Sequence, residues 1–136
     1  MTDRRHTGLG EHGENLAEQH LVELGMTVLE RRHRTRQGEI DLVCRDGETL
    51  VFVEVKTRRG DRAGAPFESI TPAKQRRLTR LALAYLKNRD LLDCPARFDV
   101  VSIVLIQDPG DPTPPPTPQI DHYRDAFPAA GNGGFY

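Results

Sequence analysis

Apolar positions along this chain follow two periods. Between Glu11 and Gly25, the residues Leu16, Ala17, Leu21 and Leu24 recur at helical spacing, and Gly25 supplies a stop. After Thr71, the residues Leu78, Leu81, Ala82, Tyr85 and Leu86 form a second helical stripe. Thr71 is placed to cap that helix, and Pro72 falls in the first turn, where its missing N–H costs nothing. Between the helices, Glu39–Cys44 and Leu50–Thr57 read as strands joined through Arg45-Asp46-Gly47-Glu48, whose Asp-Gly pair is a hairpin signal. Leu50-Val51-Phe52-Val53 is apolar on both faces, which suits a central strand covered by helices. Thr27–Arg34 is a weaker strand resting on Val28 and Leu29, and Arg97–Ile106 is a clear one. The order α-β-β-β-α-β predicts an α/β fold with a mixed central sheet flanked by helices.

The remaining segments read as connections. Residues 58–69 carry Gly60, Gly64 and Pro66 and are expected to form a mobile loop, and the proline-rich stretch 108–119 reads as a linker. That divides the chain into a domain over 1–107 and a C-terminal segment over 120–136. Ile120–Phe127 is expected to pack back on the domain, with Pro128–Tyr136 frayed. No stretch reaches the ~20 apolar residues of a membrane span, and no apolar core follows the polar Met1–Gly10 as in a secretion signal. Cys44 and Cys94 stand far apart outside any Cys/His pattern. Neither a zinc site nor a disulfide framework is expected, and the compartment implied is a reducing cytoplasm with no membrane partner.

Charge changes this picture by its distribution. The net charge is −1 over 136 residues, yet Lys56–Arg89 holds ten basic residues against Asp61 and Glu68, a net of +8. A second basic cluster comprises Arg31, Arg32, Arg34 and Arg36, while acids gather in Glu11–Glu30 and after Asp90. Such segregation suits a basic face that meets phosphates, and equally a plain solvated helix. Arg76, Arg77 and Arg80 fall outside the second helix's apolar stripe, and Arg58 and Arg59 follow the central strand.

The candidate chemistry lies at the ends of the two best strands. In Val51-Phe52-Val53-Glu54-Val55-Lys56, Glu54 and Lys56 share a face with Leu50 and Phe52. In Gly38-Glu39-Ile40-Asp41-Leu42-Val43, Glu39 and Asp41 share the face opposite Ile40 and Leu42. If the strands pair as a hairpin, Asp41 and Glu54 come within reach of one ion. Two carboxylates offer hard oxygen ligands to Mg²⁺ at roughly 2.0–2.1 Å, and a nearby lysine can offset charge developing on a phosphate. A strand-end Glu and Lys equally suit a surface salt bridge. Glu14 strengthens the metal reading, because it falls on the core-facing side of the first helix, where an unpaired acid is unexpected, although an acid in an exposed first turn equally suits the helix dipole. Gln75 holds a similar place on the second helix and either touches the site or caps the helix.

Other motifs are weaker. Gly8-Leu9-Gly10-Glu11-His12-Gly13 matches a dinucleotide-binding pattern, but no strand precedes it, so its glycines are read as the entry to the helix. His12 and His20 lack metal-ligand spacing. Arg97 and Asp99 share a strand face, which suggests a structural ion pair first and support of the site second.

Taken jointly, Gly13-Glu14, Gly38-Glu39-Ile40-Asp41-Leu42-Val43, Val51-Phe52-Val53-Glu54-Val55-Lys56-Thr57-Arg58 and Arg97-Phe98-Asp99-Val100-Val101 resemble the bacterial YraN family. That family is similar to archaeal Holliday-junction resolvases and to restriction-endonuclease-like proteins. The resemblance covers roughly Gly13 to Ile106. It implies a PD-(D/E)XK core with Asp41, Glu54 and Lys56 as the signature and Glu14 as a helper carboxylate. Ile40 stands where the signature's name has proline, and Thr79 where some branches carry tyrosine after Gln75.

Two functions follow as expectations. The first is a Mg²⁺- or Mn²⁺-dependent endonuclease acting on DNA, branched DNA included. Asp41 and Glu54 hold the metal, Lys56 and Glu14 assist, Glu39 and Gln75 support, and Arg58, Arg59, Arg76, Arg77 and Arg80 grip phosphates. The second is a non-catalytic nucleic-acid-binding or scaffold protein that keeps the fold. Converging acids favour the first, since beside phosphates they repel the ligand unless a cation intervenes. A homodimer is left open.

Overall fold

The computed structural model describes residues 8–60 and 70–130. Its elements run α1 (Gly8–Glu23), β1 (Thr27–Thr35), β2 (Gly38–Asp46), β3 (Thr49–Gly60), α2 (Pro72–Asn88), β4 (Ala96–Ile106) and β5 (Thr117–Phe127). The described residues form one five-stranded sheet in the order β1-β2-β3-β4-β5. Only the β3–β4 pair is parallel, and α2 lies in the crossover between them. The other pairs are antiparallel, so the α/β fold with a mixed sheet holds.

Two apolar layers cover the sheet. Leu78, Leu81, Ala82, Tyr85 and Leu86 of α2 are buried against Ile40, Val43, Leu50, Phe52, Phe98 and Val100. On the other face Ala17 and Leu21 of α1 meet Leu42, Cys44, Val51, Val53, Val101 and Ile103. The apolar run of β3 thus serves both layers. At roughly 1.5–3 kcal/mol per fully buried large aliphatic side chain, these layers dominate the folding free energy. Thr71 caps α2 by accepting from the Lys74 N–H at 3.2 Å, with Pro72 opening the helix.

Several sequence expectations need correction. β5 is a full strand paired with β4 from Thr117 to Phe127, so the last residues of the proline-rich stretch belong to the sheet. Pro118 is tolerated there because β5 is an edge strand. Arg58, Arg59 and Gly60 extend β3 and pair with β4, so they are not loop; residues 61–69 lie outside the described residues. The first helix begins at Gly8, which puts Gly10 and Gly13 inside it. Leu24 falls past its end and is 53% exposed, and Met26 takes the buried place instead.

Candidate functional site

The site forms where β2 and β3 part. Their ladder begins at Leu42↔Val53 and runs toward the hairpin turn, while beyond Val53 the strand β3 continues beside β4 alone. Asp41 sits at the mouth of this fork, and its Oδ2 accepts the Val55 N–H at 2.8 Å, in place of a β2 carbonyl. The strand is irregular on its other side as well. Arg32 stands opposite Asp41, between the pairs Arg31↔Leu42 and His33↔Ile40, and has a left-handed φ of 51°. A non-glycine residue in that conformation is strained, and such strain gathers at functional sites. Strict alternation also fails here: Ile40 joins the layer under α2 and Leu42 the layer under α1.

Glu14 arrives from α1, and Gly13 explains how closely. A Cβ built on Gly13 meets Thr57 Oγ1 at 1.9 Å, so only glycine lets α1 approach β3 there. As a result the carboxylates of Glu14, Glu39 and Asp41 each present an oxygen within 4.8 Å of the others. Glu39, which the sequence placed only in support, is therefore part of the cluster. Glu54 is buried on the α2 side of β3, and the Lys74 ammonium donates to its Oε1 at 2.6 Å. Asp41, Glu54 and Lys74 line two adjoining cavities of about 280 and 320 Å³. The first also takes in Glu14, Lys56 and Thr57, and the second Gly38, Glu39 and Arg77. A larger cavity of about 630 Å³ lies elsewhere, among Leu29, Leu50, Leu91 and Pro95. It lacks any such gathering of acids among the described residues.

Cations are distributed unevenly over the acids. Arg32 Nε donates to Glu14 Oε2 at 2.9 Å, Arg34 Nε to Glu39 Oε2 at 3.1 Å, and Lys74 to Glu54. Much of the basic cluster on β1 is thus committed to neutralising acids, Arg31 included through Glu18. Among the described residues Asp41 has no cation partner. Burial first, then the charge of Glu54 and those of Glu14 and Glu39, push its carboxyl well above the usual range, against the Val55 hydrogen bond. A group so perturbed in a cleft is a functional candidate on physical grounds.

The other expected residues fall as follows. Lys56 is half-buried and faces the first cavity beside Glu54. Gln75 Nε2 donates to the Ile70 carbonyl at 2.9 Å, so it secures the entry to α2. Arg76, Arg77 and Arg80 are exposed on α2, with Arg77 at the rim of the second cavity, and Arg58 and Arg59 lie toward the end of β3. Sequence reasoning missed Lys74, Arg32 and Arg34 as counter-charges. For Lys74 a signal existed, since it precedes Leu78 by one turn on the inward face of α2; nothing in the sequence marks the two arginines.

Residues 13–103 match the model of the Uncharacterised protein family UPF0102. A UPF0102 protein of Rhodococcus opacus is 47% identical over 119 residues, covering 88% of this chain and 95% of its own. One from Geobacter sulfurreducens is 45% identical over 119 residues, covering 88% of each chain. One from Anaeromyxobacter dehalogenans is 42% identical over 128 residues, 94% of this chain and 90% of that one. By the family match and by these relatives, the chain belongs to UPF0102, the YraN family that its motifs resemble.

Proposed function

We propose that this protein is a metal-dependent endonuclease acting on DNA. The observation that carries the reading is the convergence of Glu14, Glu39 and Asp41 within 4.8 Å, beside Glu54 and below an arginine-lined helix. Acids beside a phosphate-binding surface repel their ligand unless a cation sits between them. The donor set is all carboxylate oxygen, which suits Mg²⁺ or Mn²⁺. The fit rests on Asp41, whose carboxylate is pressed between like charges with only an N–H for company. Asp41 with Glu54 or Glu39 would hold the ion, and Glu14 a water of its shell. When bound, the ion polarises a phosphodiester and makes a bound water more acidic.

The chain's own side chains do the remaining work. Lys56 faces the cavity from the strand end, where its ammonium offsets charge that develops on the phosphate in the transition state. Lys74 holds Glu54 in place. Arg77 at the rim, with Arg76 and Arg80 along α2, grips backbone phosphates and carries no sequence information.

The test is incubation of pure protein with linear, flapped and four-way DNA, with and without Mn²⁺. Cleavage that needs the metal, and is lost in the double change Asp41→Asn, Glu54→Gln while salt-sensitive binding survives, is the expected result. Tight binding without cutting under any of these conditions would instead establish a non-catalytic nucleic-acid-binding protein.

A further inference from the structure

A second convergence of chemistry lies on the α1-covered face of β4 and β5, independent of the acidic cluster and of the nuclease reading. Asp99, wholly buried in β4, accepts Arg97 Nε at 2.9 Å and the Asp125 N–H at 3.0 Å. His122 Nε2, from β5, lies 2.8 Å from the other Asp99 oxygen. Across the same ring, His122 Nδ1 is 3.3 Å from Nε2 of His20 on α1.

The chemistry of this chain of contacts fixes a tautomer. A carboxylate flanked by a guanidinium and an N–H is an acceptor, so His122 carries a proton on Nε2. In the neutral ring Nδ1 then presents its lone pair toward His20. A carboxylate behind a histidine, with the lone pair in front, is how proteins orient a metal-ligating imidazole. The spacing agrees independently. Two imidazoles on one tetrahedral Zn²⁺, with Zn–N of roughly 2.0–2.1 Å, set their nitrogens about 3.3 Å and their ring centroids about 5.2 Å apart. Here the nitrogens are 3.3 Å apart and the centroids 5.2 Å.

We propose that His20 Nε2 and His122 Nδ1 bind a divalent transition metal such as Zn²⁺, with water completing its shell and Asp99 as the anchor behind His122. Imidazole donors select Zn²⁺, Ni²⁺ or Cu²⁺ over Mg²⁺, so this ion differs from the one the acidic cluster suits. His20 carries its proton on Nδ1 when Nε2 is ligated. The ion ties α1, which also carries Glu14, to the edge strand β5.

Untagged full-length protein, dialysed against a chelator, is titrated with Zn²⁺ alone by calorimetry and thermal melting, and with Co²⁺ by visible absorption. One site is expected, with a higher Tm, the d–d bands of a nitrogen-ligated Co²⁺, and no competition from Mg²⁺. His20→Asn, at a half-exposed position, should abolish the bands and the Tm rise while the apo protein melts normally. Asp99→Asn should weaken affinity by about 10–100-fold; if it does not fold, His122→Asn should abolish the Co²⁺ bands. The double change Asp41→Asn, Glu54→Gln should leave all of this intact. Absence of Zn²⁺ binding, binding undiminished in His20→Asn, or binding lost with the acidic cluster would each overturn the proposal.

Discussion

Two aspartates on this sheet are buried in opposite ways. Asp99 gathers donors: burial pushes its carboxyl up, but His122, Arg97 and the Asp125 N–H outweigh that and hold it below the usual value. Asp41 gathers acids, and burial acts with Glu54, Glu14 and Glu39 to raise it. The same residue type, on strands separated only by β3, is stabilised in one place and held at a cost in the other. The first arrangement is stable without any ligand, since its charges are paired and hydrogen-bonded. The second works against folding and makes sense when something that binds later relieves it.

The comparison breaks most visibly at Asp99. Asparagine keeps one acceptor oxygen but removes the buried charge that Arg97 and His122 share, and it turns an acceptor into an N–H donor facing them. Breaking a buried pair in this way costs up to about 3–5 kcal/mol. Asp99→Asn should therefore lower the denaturant midpoint sharply, measured without added metal. A loss under about 1 kcal/mol, the scale of exposed pairs, would mean that the cluster is not the structural anchor its burial suggests.

At Asp41 the expected sign is reversed. Asp41→Asn keeps an oxygen for the Val55 N–H and removes a charge that three acids oppose, so the variant should melt higher than wild type near neutral pH. In a domain of this size each kcal/mol gained raises Tm by roughly 3–5 °C. A lower Tm would show that the carboxylate is needed for the fold and is not held at its expense.

How much of this contrast was legible in the sequence depended on whether it was written locally. The stripe of α2, the run of β3 and the inward place of Glu14 are periodic signals within one element, and they led to the right layers and to one end of the sheet. The fork at Asp41 is not periodic: the left-handed Arg32 and the switch of faces between Ile40 and Leu42 arise from pairing between strands. The same limit hid His122. Its segment Ile120–Phe127 is expected to pack back on the domain, but its partners Asp99 and His20 are brought to it only by the β4–β5 ladder and the packing of α1. The Arg97–Asp99 pair was visible because both residues share one strand face.

The smallest effect, and the sharpest on mechanism, is how these differences depend on pH. Asp99 has a depressed folded pKa, so its contribution is present above the unfolded value of about 3.9 and is lost as pH falls through the lower folded value. Asp41 has a raised one, so wild type is relatively favoured below about 3.9 and loses that advantage as pH rises through the folded value. The Tm advantage of Asp41→Asn should accordingly be absent near pH 4 and grow toward neutrality, while the deficit of Asp99→Asn shrinks on the acid side. Melting wild type and both variants in steps between about pH 2 and pH 8 reads the two trends in one series, Asp99 below about pH 4 and Asp41 above it. A Tm gap for Asp41→Asn that is flat across that range would mean that ionisation among its neighbours is not what strains Asp41. The case for a cation at the fork of β2 and β3 would then lose its electrostatic footing.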